Sequence, residues 1–359
     1  MTMNNLLEST PQITIDQATT LDELESLRNE WAELWARSPD ATPFQSPEWL
    51  LPWFRHLCEG ELCALIFRQD QNLVGIAPFF LSAEADSKSR VLMLLGTGVS
   101  DYLDVLFEPL FAEHCAAALA DWLNENAALW HSCDFHQLRP DSPLLSIPNR
   151  SGSRTPVQTV CPVVSLPQDA ESLREVVPRH MLANLSYYRR RLDKMGPARL
   201  ELADISTFAG FFETFLDLHR ARWAERGQPG VLADDKLRAF HFEAATGLLA
   251  NRTLRLYGLR INDRIAAALY GFAHNSRTYY YLSGFAPEFA ELGLGTILIG
   301  HALEQAIQEN MAEFDFLRGR ENYKYLWGAK DRLTYRKTIE QTLEKKTGPA
   351  FHMNECERS

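Results

Sequence analysis

Three apolar segments separated by two short polar turns restrict the fold of this chain most strongly. They cover residues 254–260, 265–274 and 278–285, and the turns between them are Asn262-Asp263 and Asn275-Ser276. Asn, Asp and Ser favour tight turns because their side chains hydrogen-bond to the nearby backbone. Apolar runs of this length between such turns are typical of β-strands. The sequence therefore predicts a three-stranded antiparallel meander.

A glycine turn and a long apolar helix follow the meander. Gly293-Leu294-Gly295 opens the helix, which is predicted to extend to about residue 310, and a strand at 314–317, a short helix at 323–329 and an extended stretch at 333–342 come next. The first turn of a helix carries unpaired N–H groups and the positive end of the helix dipole, which suit a pyrophosphate. A bare Gly-x-Gly before a helix is more often only a tight turn. The alternation of helices and strands predicts the α/β class with a mixed sheet.

The length of 359 residues is large for one hydrophobic core and favours two domains. Residues 139–157 are rich in Pro, Ser, Gly and Asn, a composition typical of a linker. We therefore predict an N-terminal domain over residues 1–150 and a C-terminal domain over residues 151–359.

The net charge of −11 is distributed unevenly between these halves. Residues 1–150 contain 22 Asp and Glu against 8 Lys and Arg, whereas residues 151–359 contain 25 against 28. We expect any anion-binding site in the second half, and the acidic first half argues against a DNA groove that crosses both. The alternative is that the acidic half only keeps the protein soluble.

Nothing in the sequence predicts a membrane span, a secretory leader or a metal site. The longest apolar runs, such as 91–95 and 160–166, are far shorter than the ~20 residues that a membrane helix needs. The first eight residues lack the features of a signal peptide. The six cysteines show no CxxC pair and no zinc-finger spacing. We expect a cytoplasmic protein with free thiols and no bound metal.

A basic segment opens the second half. It is predicted as one helix over about residues 172–195, ended by Gly196-Pro197. Three interpretations are open: it contacts the phosphates of a cofactor, it binds an anionic substrate or RNA, or it is a solvated helix between the domains. Its cations and interleaved aromatic residues are Arg179, Arg189, Arg190, Arg191 and Lys194, with Tyr187 and Tyr188.

Short motifs between about residues 40 and 340 carry a resemblance to a known family. They are Phe44 to Leu50 and Asp101 to Asp104 in the first half, and Leu218 to Trp223 with Gly227, Phe240-His241, Tyr279 to Glu288, Gly295-Thr296 and Phe314 to Lys324 in the second. These motifs resemble the GNAT superfamily of N-acyltransferases, specifically its CelD/BcsL-type branch. Chains of that branch carry two GNAT-like domains and are related in architecture to FemAB-type transferases. The resemblance implies two tandem GNAT-like acyltransferase domains, the second catalytic and the first covering the cleft, with acyl-CoA, such as acetyl-CoA, as the co-substrate.

Two positions depart from the pattern of the family. Ala290 stands where the pyrophosphate loop usually has Gln or Arg. Arg320 stands where this branch often has an acidic residue. The first departure bears on cofactor affinity and the second on the choice of substrate.

Transfer of an acyl group from a thioester to an amine needs a base for the amine, a polarised carbonyl and a proton for the thiolate. Glu321 is the leading candidate for the general base or the amine anchor, and the alternative is a carboxylate that caps the helix at 323–329. Tyr323 is a candidate proton donor or a buried structural tyrosine. His219 is a candidate base or relay, or a structural histidine, and it lies one turn from Arg222 so that both face one cleft.

The resemblance also implies binding residues. Those expected to hold acyl-CoA are Leu282, Ser283, Gly284, Phe285, Gly293, Leu294, Gly295 and Thr296. Those expected at the substrate are Arg222, Trp223, His241, Asp315, Arg318 and Lys324, although Trp223 also suits packing and Asp315 suits the orientation of Lys324 or Arg318.

The sequence thus predicts an acyl-CoA-dependent N-acyltransferase acting on an amine of a sugar, an amino acid or a small metabolite. Two alternatives are open. A FemAB-like aminoacyl-tRNA-dependent transferase is suggested by the basic helix, and a catalytically degenerate GNAT-fold protein that supports polysaccharide synthesis is suggested by Ala290. The oligomeric state is not indicated.

Overall fold

The computed structural model describes residues 12–83, 90–148, 153–224, 227 and 230–341. The predicted strand end at residue 342 and part of the predicted linker lie outside these residues. The strands are β1 Ile13–Ala18, β2 Glu61–Leu62, β3 Ala64–Gln69, β4 Asn72–Ala77, β5 Phe79–Ala83, β6 Arg90–Leu94, β7 Leu106–Phe107, β8 Ser132–Leu138, β9 Val157–Ser165, β10 Ala198–Leu202, β11 Leu254–Ile261, β12 Arg264–His274, β13 Arg277–Phe285, β14 Glu313–Asp315 and β15 Lys330–Glu340.

Local chemistry explains some of the helix boundaries. Thr20 forms a capping box with Glu23 at the first helix. The prediction of one continuous helix over 172–195 is wrong, because Pro178 disfavours helical backbone at Val177 and divides the segment into two helices. The helices are α1 Leu21–Ser26, α2 Arg28–Arg37, α3 Pro47–Leu57, α4 Ala112–Glu125, α5 Pro143–Ser146, α6 Leu173–Val176, α7 Arg179–Leu192, α8 Phe208–Ala224, α9 Asp235–Ala250, α10 Leu294–Gln308 and α11 Asn322–Leu326.

The strands form two sheets. A four-stranded sheet has the order β1-β3-β4-β7, and an eleven-stranded sheet has the order β10-β11-β12-β13-β14-β9-β15-β8-β6-β5-β2. The predicted meander is present, because β12 pairs antiparallel with both β11 and β13. Two neighbouring pairs, β13 with β14 and β6 with β8, are parallel. The predicted α/β class with a mixed sheet is confirmed.

The large sheet repeats one unit, and its last strand along the chain, β15, joins the two halves. In each half, a parallel pair is connected through a helix: α4 lies between β6 and β8, and α10 lies between β13 and β14. β15 of the second half then crosses to the first half and pairs with β8, while β9, the strand that follows β8 in the chain, pairs with β14. Strands β9 and β15 also pair with each other at the centre. The domain boundary at residue 150 stays a prediction, and the two halves share one sheet across it.

An opening forms where β13 and β14 separate. Their pairing covers only residues 277–279 against 313–315, and beyond these residues the two segments of the chain diverge. The partner strand β12 shifts register opposite Tyr281, which marks a bulge in β13. Gly284 lets α8 approach β13, because a Cβ there would lie 2.4 Å from the backbone nitrogen of His219. The opening is thereby bounded by α8 on one face of the sheet.

Candidate active site

Two cavities adjoin at this opening. The larger, of about 630 Å³, lies between α8, the segment 98–101 and the segment 316–324. The smaller, of about 270 Å³, lies at the glycine turn before α10, and we call it the glycine-turn cavity. Four side chains line both: Arg222, Tyr280, Ser283 and Tyr323.

The glycine-turn cavity is bounded by the start of α10. Gly293 has φ of 63°, and a Cβ at this residue would lie 2.6 Å from the ring of Tyr188 in α7. A glycine is therefore required at position 293, both by the turn and by the contact with α7. A Cβ at Gly295, in contrast, would meet open space. The free N–H groups of the first turn of a 15-residue helix are available here to an anion or a carbonyl.

The four shared side chains form a hydrogen-bonded partition between the cavities. Arg222 donates from Nη1 to Oγ of Ser283 over 2.9 Å. The Ser283 hydroxyl lies 2.5 Å from the hydroxyl of Tyr280, which in turn hydrogen-bonds to Tyr323. Burial raises the pKa of Tyr323 well above its usual range, so its hydroxyl stays protonated. The partition therefore presents neutral hydroxyl groups at the place where the cavities meet.

Asp101 is the most buried acid of the large cavity. It comes from the first half and pairs with Arg318, whose Nε lies 2.5 Å from its Oδ1. Only 4% of Asp101 is exposed, and burial raises the pKa of this carboxyl to about 6, although Arg318 and Lys324 oppose the shift. A carboxylate with such a pKa can accept a proton near neutral pH.

Lys324 organises the segment that follows β14. Its buried Nζ donates to the carbonyl oxygens of Leu317, Arg318 and Gly319 over 3.1, 2.7 and 3.2 Å. It also pairs with Glu321 over 2.9 Å. Three carbonyls and one carboxylate occupy the ammonium group, so Lys324 fixes the loop.

Glu321 occupies the N-cap position of α11, but its side chain makes no capping hydrogen bond. Its carboxylate is half exposed at the rim of the large cavity and pairs with Lys324. The structure thus places Glu321 at the large cavity in a more solvated position than Asp101.

Asp315 lies behind the cavity wall. It is fully buried and accepts hydrogen bonds from the Tyr102 hydroxyl over 2.6 Å and from the backbone N–H of Leu317 over 2.8 Å. Arg332 pairs with it over 3.2 Å. Burial raises the pKa of Asp315. The residue ties β14 to the first half.

The two histidines of the large cavity are uncharged near neutral pH. Burial and the nearby Arg222 lower the pKa of His219 to about 4, and its Nε2 accepts a hydrogen bond from the Trp223 indole over 3.0 Å. Burial lowers the pKa of His241 to about 3, and its Nδ1 is buried without a hydrogen-bond partner in the described part of the chain. Because the indole occupies Nε2 of His219, this ring is poorly placed to take a proton.

Most of the residues expected from the sequence surround these cavities. Gly284 and Asp315 are not among the residues that line either cavity. The large cavity is lined by His219, Arg222, Trp223, His241, Leu282, Ser283, Arg318, Glu321, Tyr323 and Lys324. The glycine-turn cavity is lined by Phe285, Gly293, Leu294, Gly295 and Thr296 in addition to the shared residues.

Sequence reasoning did not predict that Asp101 and Tyr280 line these cavities. Asp101 belongs to a motif noted in the first half, but no local pattern shows that its loop folds onto the second half. Tyr280 stands between two other tyrosines, and the bulge at Tyr281 determines which of them faces the cavities.

In the described ranges, no group of three or more His, Cys, Asp and Glu side chains could hold a metal ion. No helix there has the length and apolar character needed to cross a membrane.

Residues 179–325 match the family model Acetyltransf_6, an acetyltransferase (GNAT) domain. This part of the chain is similar to a GNAT acetyltransferase domain. It contains the meander, the glycine turn and nearly every residue of both cavities. None of the curated proteins compared with this chain matches it.

Solved structures extend the likeness beyond the GNAT domain. FemX is similar with a TM-score of 0.67 at 10% identity, over 92% of this chain and 97% of that chain. The C-terminal domain of a putative lysylphosphatidylglycerol synthetase from Agrobacterium fabrum has a TM-score of 0.58 at 10% identity, over 88% and 91%. L-PGS from Bacillus licheniformis has a TM-score of 0.53 at 10% identity, over 80% and 86%. At such identities the likeness concerns the fold alone, and the FemX fold spans both predicted domains.

Proposed function

We propose that this protein is an acyl-CoA-dependent N-acyltransferase. The observation that carries the proposal is the meeting of two cavities at a hydrogen-bonded partition, one of them formed by the glycine turn at the start of α10. The acyl thioester would enter the glycine-turn cavity, with its phosphates near the first turn of α10. The acceptor amine would enter the large cavity. The resemblance to the CelD/BcsL-type branch rests on the sequence motifs and forms part of this proposal.

The residues present suffice for the proton transfers. Asp101, ionised above a pH of about 6, takes one proton from the attacking amine. The amine nitrogen forms a bond to the thioester carbon, and the carbon–sulfur bond breaks. Tyr323 passes a proton to the departing thiolate while Ser283 and Tyr280 relay one to Tyr323 from solvent, so that no tyrosinate forms. Amine and thioester thus give amide and thiol, with one proton lost and one gained.

Binding and turnover test the proposal separately. Calorimetry with acetyl-CoA and longer acyl-CoAs should show binding, and release of free thiol with a panel of amines should show transfer. Gly295→Leu should abolish acyl-CoA binding, since its side chain would fill open space in the glycine-turn cavity without displacing backbone. Gly210→Leu, on the exposed face of α8 where the space is also open, is the matched control. No binding of any acyl-CoA to the unmodified protein would refute the proposal.

A second candidate is an aminoacyl-tRNA-dependent transferase. Three exposed cations of or next to α7, Arg179, Arg190 and Lys194, form no ion pair with a carboxylate in the described ranges, and Met181 of the same helix lines the glycine-turn cavity. If a polyanion such as tRNA placed one end in this cavity, its phosphates would lie near these three cations. Such binding should weaken steeply with salt, and tRNA binding without acyl-CoA binding would favour this candidate. A catalytically degenerate protein would show no turnover with either donor.

A further inference from the structure

Arg222 is a positioned cation, and no carboxylate among the described residues pairs with it. Its guanidinium is held by Ser283 and lies 5.1 Å from the centroid of the Phe285 ring. Its Nε is buried and donates no hydrogen bond in the described part of the chain. The other two cations that line the large cavity, Arg318 and Lys324, each pair with a carboxylate. Arg222 therefore keeps donors for an anionic group of a ligand, and its planar guanidinium suits a carboxylate.

The position of Arg222 limits what this anion is attached to. Arg222 belongs to the partition, where the acyl thioester and the amine must meet. In an α-amino acid the carboxylate and the amine are bonded to the same carbon. A carboxylate held by Arg222 therefore places the amine at the partition, close to the incoming thioester. A carboxylate several bonds away from the amine would hold the amine at a distance from it.

The wall that continues from Arg222 is apolar and aromatic. Trp223, Leu237, His241, Tyr281 and Leu282 line this part of the large cavity. The ring of His241 packs against the aromatic rings of Trp49, Phe240, Tyr270 and Tyr281. The carboxylates and the other cations come from the loop that holds Asp101 and from the segment 318–324. An apolar or aromatic side chain suits the first wall, because it loses no hydrogen bonds to water there.

We propose that the acceptor is an α-amino acid with an apolar or aromatic side chain, and that Arg222 binds its carboxylate. This inference rests on the proposed function and specifies its acceptor. Since Arg222 also lines the glycine-turn cavity, a phosphate of the donor is the other possible anion, and the experiment separates the two.

The test compares acceptors that differ only in the carboxylate. L-Phenylalanine is paired with L-phenylalaninamide, L-leucine is paired with L-leucinamide, and L-glutamate tests the side chain; thiol release is measured with acetyl-CoA and with a longer acyl-CoA. We expect kcat/KM to be about 10- to 100-fold higher for each apolar amino acid than for its amide, the range for a hydrogen bond to a charged group. Arg222→Gln should reduce this ratio to near 1, and Arg222→Lys should keep part of it. Arg220→Gln, an exposed arginine of the same helix that pairs with Asp217, is the matched control and should keep the ratio.

Binding measurements keep the result independent of turnover. Calorimetry of L-phenylalanine into the full chain with CoA present should show binding that Arg222→Gln abolishes, while the affinity for acetyl-CoA should not change. Equal rates for the amino acid and its amide, or the lack of any amino-acid binding, would overturn this inference and leave the acyltransferase proposal intact. Loss of acetyl-CoA affinity in Arg222→Gln would assign the anion to the donor and overturn it as well. Failure of the unmodified protein to bind any acyl-CoA would refute the proposed function instead.

Discussion

Asp101→Asn tests the proposed chemistry most directly. The substitution keeps the size of the side chain and removes both the charge and the ability to accept a proton. Burial raises the pKa of Asp101 from 3.8 to about 6, so about nine-tenths of the carboxyl is ionised at pH 7. If Asp101 is the base, kcat/KM should rise with pH through about 6 in the unmodified protein. Asp101→Asn should lose this rise and about 10²- to 10⁴-fold of activity.

The same shift has a consequence for stability. A carboxyl whose pKa is raised by folding stabilises the folded state fully below its unfolded pKa of 3.8, and this contribution is lost as the pH rises through about 6. The shift corresponds to about 3 kcal/mol. The unfolding free energy of the unmodified protein should therefore fall by about 2–3 kcal/mol relative to Asp101→Asn between pH 4 and pH 8. Urea melts at each pH measure this difference.

The matched control is Asp104→Asn. Asp104 is also buried, its pKa is raised to about 7 by burial, and it accepts hydrogen bonds from Ser142 and from the backbone of Val105 over 2.8 Å. It does not line either cavity, so its substitution should change the stability profile and leave the pH dependence of kcat/KM unchanged. A rise of kcat/KM near pH 6 that persists in Asp101→Asn would refute the assignment of the base. Loss of that rise in Glu321→Gln would then identify Glu321, the base expected from the sequence, as the general base.

Three other substitutions test separate parts of the structure. Gly284→Ala should lower the unfolding free energy in thermal melts by about 1–3 kcal/mol, because the new Cβ would lie 2.4 Å from the backbone of α8. Gly210→Ala, at a position of α8 where the new Cβ would meet open space, should stabilise the protein slightly in the same melts. Tyr102→Phe removes a hydrogen bond to the fully buried Asp315 and should cost about 1–3 kcal/mol in urea melts, whereas an unchanged midpoint would show that this bond contributes nothing. Tyr323→Phe keeps the ring but removes the proposed proton donor, so kcat should fall about 10²-fold with unchanged acyl-CoA affinity, and an unchanged kcat would remove Tyr323 from the mechanism.

Local features of the site could be predicted from the sequence because local patterns encode them. Turn residues at 262–263 and 275–276 fix the meander, and the glycine turn sets the start of α10. The helical spacing of His219 and Arg222 places both on one face, and both line the large cavity. The break of the basic helix at Pro178 could also have been predicted from the sequence, since proline disfavours helical backbone at the residue before it.

The parts that could not be predicted depend on distant contacts. Asp101 reaches the cavity only because the loop after β6 lies on the segment after β14, where Arg318 also donates to the carbonyl of Gly98 over 3.0 Å. Pairing of β15 with β8 joins residues about 200 positions apart, and no periodicity records it. The roles of the histidines depend on burial and on the indole of Trp223, which spacing alone does not supply.

The central strands of the large sheet explain why residues of both halves form one site. β15 of the second half pairs with β8 of the first half, and β9 pairs with both β15 and β14. Moving the halves apart would therefore expose sheet edges with unpaired backbone groups, in addition to opening the cavity. Tyr102 bonded to Asp315 and Arg318 paired with Asp101 join the halves at the same place. The first half thus forms part of the cavity wall and contributes its most buried acid, Asp101.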